Sequence, residues 1–351
     1  MSIVAVAKRA GVSVATVSRV LNDLQNVRAE TVQQVRAAMQ EIGYKPPRVK
    51  RGPKGGPRRV LPARMRTGQI AVLTLGGVQG WLGMPVMASV VAGITRAAKE
   101  MDIRPVLDEM PDPHSLSPLL RRREVDGAVV FFQSGRPVHE LVELCQHLPL
   151  VWAMGGEGGP AQVDHVSADN MGIGHVAYEY LTSHGCKNLA YITDEPDWLI
   201  MRLRAQSFAN SARDAGQAVT SFLVGENGLT HEPYGRKTHS AKNLEGAVDL
   251  LINTKPRPTG LFIPTDLLAT RVYPLLIQRG IKPEHDIRII SCDNEDERLT
   301  MLNPRPASID IRGEEVGRWA VRQLVQRLQR PEDPATRIQV APRLVAPHQG
   351  G

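Results

Sequence analysis

The chain of 351 residues predicts an α/β protein in which parallel sheets are flanked by helices, preceded by a small helical unit and a basic connector. Three observations predict it. From Gln69 onward, apolar runs of strand length alternate with amphipathic runs of helix length, the pattern of repeated βα units. The first 45 residues hold three short helical patterns and no strand pattern. Between Lys45 and Arg66 stand nine Lys/Arg and no acid, interrupted throughout by Pro and Gly, so no packed core is expected there.

The elements follow in order. Ile3–Ala10 predicts a first helix with Ser2 as N-cap, and Gly11-Val12 predicts a turn. Ser13 is placed to cap a second helix, because its hydroxyl can accept a free backbone N–H. In that helix Val17, Val20, Leu21 and Leu24 recur at i, i+3, i+4 and i+7, one buried stripe, leaving Ala15, Thr16, Ser18, Arg19 and Asn22 off it. A third helix is expected over Glu30–Ile42, with Val32, Val35, Met39 and Ile42 inward.

In the larger part, strands are expected at Ile70–Leu75, Arg104–Leu107, Gly127–Phe132, Leu150–Ala153, Val166–Ala168, Leu189–Thr193, Ser221–Val224, Gly260–Ile263 and Ile287–Cys292. Helices are expected at Val86–Met101, Pro137–Gln146, Met171–His184, Leu199–Ala215, Ala241–Asn253, Leu267–Arg279 and Glu314–Gln329. About 280 residues of this pattern divide into two lobes.

Charge separates the parts. Residues 1–66 carry 14 Lys/Arg against Asp23, Glu30 and Glu41, a net of +11, which leaves the rest of the chain at −4 within a total of +7. A basic head on a mildly acidic body suits a polyanion partner. The three cysteines, Cys145, Cys186 and Cys292, are widely spaced; they predict buried small residues in a cytoplasmic protein rather than disulfides or a zinc site. No apolar run has the length of a membrane span and no secretory signal is visible.

Two short helices joined by a glycine turn form the helix-turn-helix pattern, whose second helix enters the major groove of DNA. Arg19 has the fork for guanine O6 and N7, and Thr16 and Ser18 can bond phosphate oxygens near a positively polarised helix start. Ser13 and Asn22 complete the exposed set. Val14 either extends the apolar stripe or touches a thymine methyl.

Here "VAVAKRAGVSVATVSRVLND" resembles the headpiece of the lactose repressor/galactose repressor (LacI/GalR) family of bacterial transcription regulators, and "TVQQVRAAMQEIGYKP" resembles that family's third helix and hinge start. The likeness continues through "VDGAVV", "VSADNMGIGHVAYEYLTSHGCKNLAYIT", "PTGLFIPTDLLA", "IRIISCDN" and "VAPRLVAP". The resemblance implies a headpiece over 1–45, a hinge over 46–68, and over 69–345 a two-lobed effector domain of the periplasmic-binding-protein type. The expected lobes are 69–164 with 311–329, and 165–308 with 331–345. It implies a homodimer on a pseudo-palindromic double-stranded operator, with Val14, Ala15 and Arg19 on bases and Thr16 and Ser18 on phosphates. The expected dimer surface is Met84–Ala98 with the nearby "LSPLLRRR". The chain departs from the family at Ala5, usually acidic, at Arg28, usually a capping serine, and at Pro53, where a minor-groove leucine is usual. The linker, with Arg48, Lys50 and Arg51, is either an extended basic arm following the DNA or a basic spacer.

In parallel sheets, ligands bind at the carboxyl ends of strands. Asp169-Asn170, Asp194-Glu195, Thr265-Asp266 and Asp293-Asn294 follow strands here, and Arg204 lies in a helix that begins after Asp197-Trp198. Carboxylates, an amide and a guanidinium suit hydroxyl-rich ligands, and Trp81, Trp152 and Trp198 lie near strand ends where they could stack on a sugar ring, Trp152 being equally placed to be core. The resemblance implies Arg204 and Asp293 as effector contacts, Thr265 at a position where asparagine is common, and Asp169 as a further contact, while Val86 and Met87 replace the usual aromatic pair; Asp169 and Asp266, as strand-end carboxylates, are equally placed to cap the helices that follow. A small effector, sugar or polyol, is expected to control DNA affinity; no cofactor, metal or enzymatic activity is expected, since neither a nucleophile elbow, a P-loop nor a metal-spaced His cluster is present. The competing reading is a sugar-binding solute receptor with no DNA role.

Overall fold

The computed structural model describes residues 2–21, 27–44, 64–75, 84–110, 117–132, 148–154, 161–225 and 237–347. Contacts divide the chain into two units, residues 1–59 and 60–351.

In the first unit, α1 spans Ile3–Ala10, α2 Val14–Leu21 and α3 Ala29–Glu41. Ser2 caps α1 by accepting the Ala5 N–H at 3.3 Å. Gly11 ends it at φ 64, a left-handed conformation that costs glycine little. Ser13 accepts the Thr16 N–H at 3.1 Å at the start of α2. At α3, Arg28 holds the cap position with no side-chain cap bond. Val6, Ala7, Val17, Val20, Val35 and Ala38 are the buried core, with Val32, Met39 and Ile42 partly buried around it. Such a core stabilises the fold only marginally.

The second unit holds two sheets. The first contains β1 (Gln69–Leu75), β2 (Arg104–Met110), β3 (Gly127–Phe132), β4 (Leu150–Ala153), β5 (Asp164–Ala168) and β12 (Arg337–Val340), ordered β12-β5-β4-β3-β1-β2 and parallel at every pairing. The second contains β6 (Leu189–Thr193), β7 (Val219–Val224), β8 (Lys237–Ala241), β9 (Gly260–Phe262), β10 (Arg288–Cys292), β11 (Ala307–Asp310) and β13 (Arg343–Val345), ordered β13-β11-β10-β9-β6-β7-β8. Only β13 runs antiparallel to its neighbour among these pairings. Side chains alternate between the faces, as strand geometry demands. Ile70 and Val72 face one core, against α4 (Pro85–Glu100) and the helix Gly313–Gln329; Ala71 and Leu73 face another. The second sheet is covered on one face by the helices Asn170–Ser183 and Leu199–Asp214, and on the other by Leu244–Asn253 and Asp266–Gln278. In chain order, counting α5 (Pro118–Arg121), these four are α6, α7, α8 and α9; α10 is Asp296–Leu299, and Gly313–Gln329 is α11.

The expected lobe limits shift. Val166–Ala168 and residues 337–340 were assigned to the second lobe, but β5 pairs with β4 and β12 pairs with β5, so both belong to the first sheet. The chain therefore changes sheet after Ala168, after Asp310 and again after Val340. Continuous burial of β5 leaves it no stable place outside a sheet interior. Four strands carried no clear sequence pattern. β8 is a largely exposed edge, β12 and β13 are short edges, and β11 is a four-residue run. The helix expected at Pro137–Gln146 lies outside the described residues.

Candidate functional sites

On α2, positions 14, 15, 18 and 19 fall within one arc of the helical wheel and Val17 and Val20 on the opposite side. Val17 and Val20 are buried; Ser13, Val14, Ala15 and Arg19 are exposed. Val14, at 42% exposure, is off the core stripe, which removes one of its two sequence readings. The Ser13 and Thr16 hydroxyls lie 2.8 Å apart at the helix start. The structure thus brings Ser13, Val14, Ala15, Thr16, Ser18 and Arg19 together on one short helix. Asn22, Arg48, Lys50 and Arg51 lie outside the described residues, as does Leu24.

One carboxylate near the end of the basic segment went unnoticed in the sequence. Asp126, immediately before β3, accepts the N–H groups of Arg66 (2.8 Å), Thr67 (3.0 Å) and Gly68 (2.8 Å) and the Thr67 hydroxyl (2.8 Å). Desolvation pushes its carboxyl up, but these donors outweigh it and hold the group below its ordinary value of 3.8. Asp126 fixes the point at which the chain enters β1. Its sequence setting, "EVDGAVV", reads only as a strand start.

In the second unit the strand ends converge as the parallel topology requires. Arg204, from α7, is buried and forms the centre. Its Nε donates to Asn170 Oδ1 at 3.1 Å, Nη1 donates to the Pro264 carbonyl, and Nη1 and Nη2 each lie 3.4 Å from Asp293 Oδ1. The Asn170 amide in turn donates to the Ala168 carbonyl at 3.3 Å. Burial pushes the Asp293 carboxyl up, and the Arg204 charge draws it back only part of the way. Arg204 itself stays cationic, with burial opposed by the negative field of its neighbours. A rigid guanidinium fork beside a carboxylate and a carboxamide can donate to and accept from neighbouring hydroxyls of one small molecule.

Asp169 and Thr265 stand next to this group but both are engaged at helix starts. Asp169 accepts the Gly172 N–H at 2.8 Å and Thr265 accepts the Leu268 N–H at 3.1 Å. Trp198 is half-buried and heads α7, the helix carrying Arg204. Trp81 lies outside the described residues. Trp152 is core, 2% exposed and packed beside His165. Asn170 was missed as a site residue; its signal was its place beside Asp169 after a strand. Beside Asp293 opens a cleft of about 570 Å³ between the sheets' elements, lined by Pro85, Val86 and Ser89 of α4, by Asp293–Glu297, and by Asp310, Arg312 and the first turn of α11.

Among the described residues no cluster of His, Cys, Asp or Glu is arranged to hold a metal ion, and no helix is long and apolar enough to cross a membrane. Cys186 and Cys292 are buried thiols.

The family model "Bacterial regulatory proteins, lacI family" matches residues 2–47, and "Periplasmic binding protein-like domain" matches residues 178–346. Catabolite control protein A of Priestia megaterium is 27% identical over 350 residues, covering 97% of this chain and 96% of that protein. The ribose operon repressor of Escherichia coli K12 is 26% identical over 353 residues, covering 97% of each. Among solved structures, a complex of the transcriptional regulator CelR with cellobiose matches 100% of both chains at TM-score 0.63 and 22% identity. The Lac repressor bound to ONPG in the repressed state matches 98% of both at TM-score 0.59 and 18% identity. With a lacI-type match over its helix-turn-helix and a periplasmic-binding-protein-like match over its α/β part, the chain belongs to the LacI family of bacterial regulatory proteins.

Proposed function

We propose that this protein is a cytoplasmic transcriptional repressor that binds a pseudo-palindromic operator as a homodimer and changes its DNA affinity when a sugar or related polyol enters the cleft beside Asp293, the carboxylate paired with buried Arg204. The observation that carries the reading is the pairing of two surfaces of opposite character on one chain. One is a short helix with Val14, Ala15 and Arg19 exposed; the other is a buried guanidinium between a carboxylate and an amide. Headpiece limits near residue 45, a connector to residue 68 and an effector domain to residue 345 are proposed with it. Relatives named as repressors and a control protein favour a regulator over an enzyme.

The outer face of α4 supports the dimer. Ala88, Val91, Ala92 and Thr95 with Leu107 of β2 line a shallow apolar groove, edged by Arg96 and Lys99. Leu107 is 47% exposed, and a patch of this kind suits a self-complementary contact. Two headpieces held at fixed spacing could then occupy successive major grooves.

The test is a thermal-shift and calorimetric series with D-ribose, D-glucose and cellobiose on the full chain, run beside Arg204→Lys and Asp293→Asn. The reading expects one of these or a close analogue to bind wild type and to bind neither variant. A ligand that binds all three proteins equally would place the effector elsewhere.

A further inference from the structure

Behind Asp293 lies a carboxylate that faces no cleft. Asp266 opens α9 and is completely buried. Its Oδ1 accepts hydrogen bonds from the Ser291 hydroxyl on β10 and from the Ser308 hydroxyl on β11, the latter at 2.9 Å. Its Oδ2 accepts the Glu295 backbone N–H at 2.7 Å. The Ser308 oxygen accepts the Asn294 N–H at 3.1 Å, and the Asp293 N–H reaches the Ile309 carbonyl at 2.8 Å. Three consecutive amides are therefore held, one by Asp266 directly and one through a single hydroxyl that Asp266 orients.

The turn so held is costly. Asp293 has φ 106 and Asn294 φ 54, both left-handed and neither glycine. Such backbone persists only where its surroundings over-determine it. Capping α9 does not account for Asp266, because Thr265 already caps that helix and both Asp266 oxygens point to other elements.

We propose that Asp266 is a positioning residue of the effector site: it pins the 293–295 turn so that the Asp293 carboxylate faces Arg204. Asp266 touches no ligand; it acts through the turn. The inference rests on the reading of Arg204 and Asp293 as the ligand-binding pair.

Two hydroxyls and one N–H donate to Asp266, and the carboxylate oxygens accept all three. Ionisation is opposed by burial and by Asp293, with the bonds from Ser291, Glu295 and Ser308 working the other way, and the carboxyl titrates at about 7. Around it, Glu295 is paired with Arg298 of α10, Arg204 of α7 is committed to Asp293, and the Cys292 thiol is buried between.

Amide hydrogen exchange on the ligand-free full chain tests this, read as protection factors corrected for intrinsic rates. In wild type, residues 293–295 should be protected, as β6 and β9 are. In Asp266→Asn the turn should be under-protected about tenfold, while β6 and β9 keep their protection. Ser308→Ala, which leaves Asp266 in place, should lower protection at Asn294 and leave Glu295 protected; it serves if Asp266→Asn does not fold. An Asp266→Asn turn, or a Ser308→Ala Asn294 amide, as protected as in wild type overturns the proposal. If D-ribose or cellobiose binds wild type, Asp266→Asn should weaken it. Failure of every sugar to bind, with the exchange pattern intact, would fault the ligand assignment and leave the positioning role standing.

Discussion

The headpiece and the α/β part solve opposite problems with polar side chains. On α2, Val14, Ala15 and Arg19 remain in solvent, and among the described residues six buried ones form the small core that presents them. In the α/β part the side chains of the proposed effector site are buried: Arg204 is 4% exposed and bonded to Asn170, Pro264 and Asp293. A surface that meets a large polyanion can wait in water, since the partner brings the complementary charge. A site for a small hydroxylated molecule must exclude water and be set beforehand, because the ligand offers few groups with which to organise it. Substitutions at the two sites should therefore fail differently, in stability at one and in recognition at the other.

The largest effect is expected at Arg204→Ala. It strands Asp293 and Asn170 in the interior, which costs about 3–5 kcal/mol for a buried pair losing one partner. Urea unfolding should show it, whereas an equal loss from Arg19→Ala would erase the contrast. Next comes Gly317→Ala. A Cβ there would lie 2.0 Å from the Val90 carbonyl oxygen, so α4 and α11 must separate; overpacking of this kind costs about 1–3 kcal/mol. An unchanged urea midpoint would mean the two helices are not locked as described. Ser13→Ala removes the cap of α2 and should cost the headpiece about 1 kcal/mol, visible in its helical signal while the α/β transition stays in place.

The smallest effect is expected at Asp126. Its carboxyl sits below 3.8 when folded, so its stabilising contribution is present above that pH and fades as the solution is acidified below it. Partial exposure keeps the size small. Proteolysis at Arg66 should be faster in Asp126→Asn than in wild type at neutral pH, and the difference should vanish in strong acid. Equal cleavage at neutral pH would show that the three amides are not held by this carboxylate.

Legibility followed the range of the interactions. The cap at Ser13, the turn at Gly11 and the stripe of Val17 and Val20 are contacts within a few residues, and spacing alone exposes them. Asp293 was visible as a carboxylate after a strand and Arg204 as a guanidinium within a helix, and the family resemblance singled them out. Their partners Asn170 and Pro264 come from segments 34 and 60 residues from Arg204, so only the fold joins them. The lobe limits at β5 and β12 depended on a pairing between residues near 166 and 338, and no local pattern encodes such a pairing. Asp126 looked like a strand start because its three donors lie about 60 residues earlier.

The claim at the centre is that α2 reads DNA sequence through Arg19. The direct measurement selects duplexes from a randomised pool with the full chain, then compares wild type and Arg19→Ala on the selected duplex against random competitor at low and moderate salt. The account predicts a clear preference in wild type, reduced in the variant by about 1–3 kcal/mol of discrimination at one base position, with the urea midpoint of the α/β part unchanged. No preference over random DNA in wild type, even at low ionic strength, or an undiminished preference in Arg19→Ala, would contradict it.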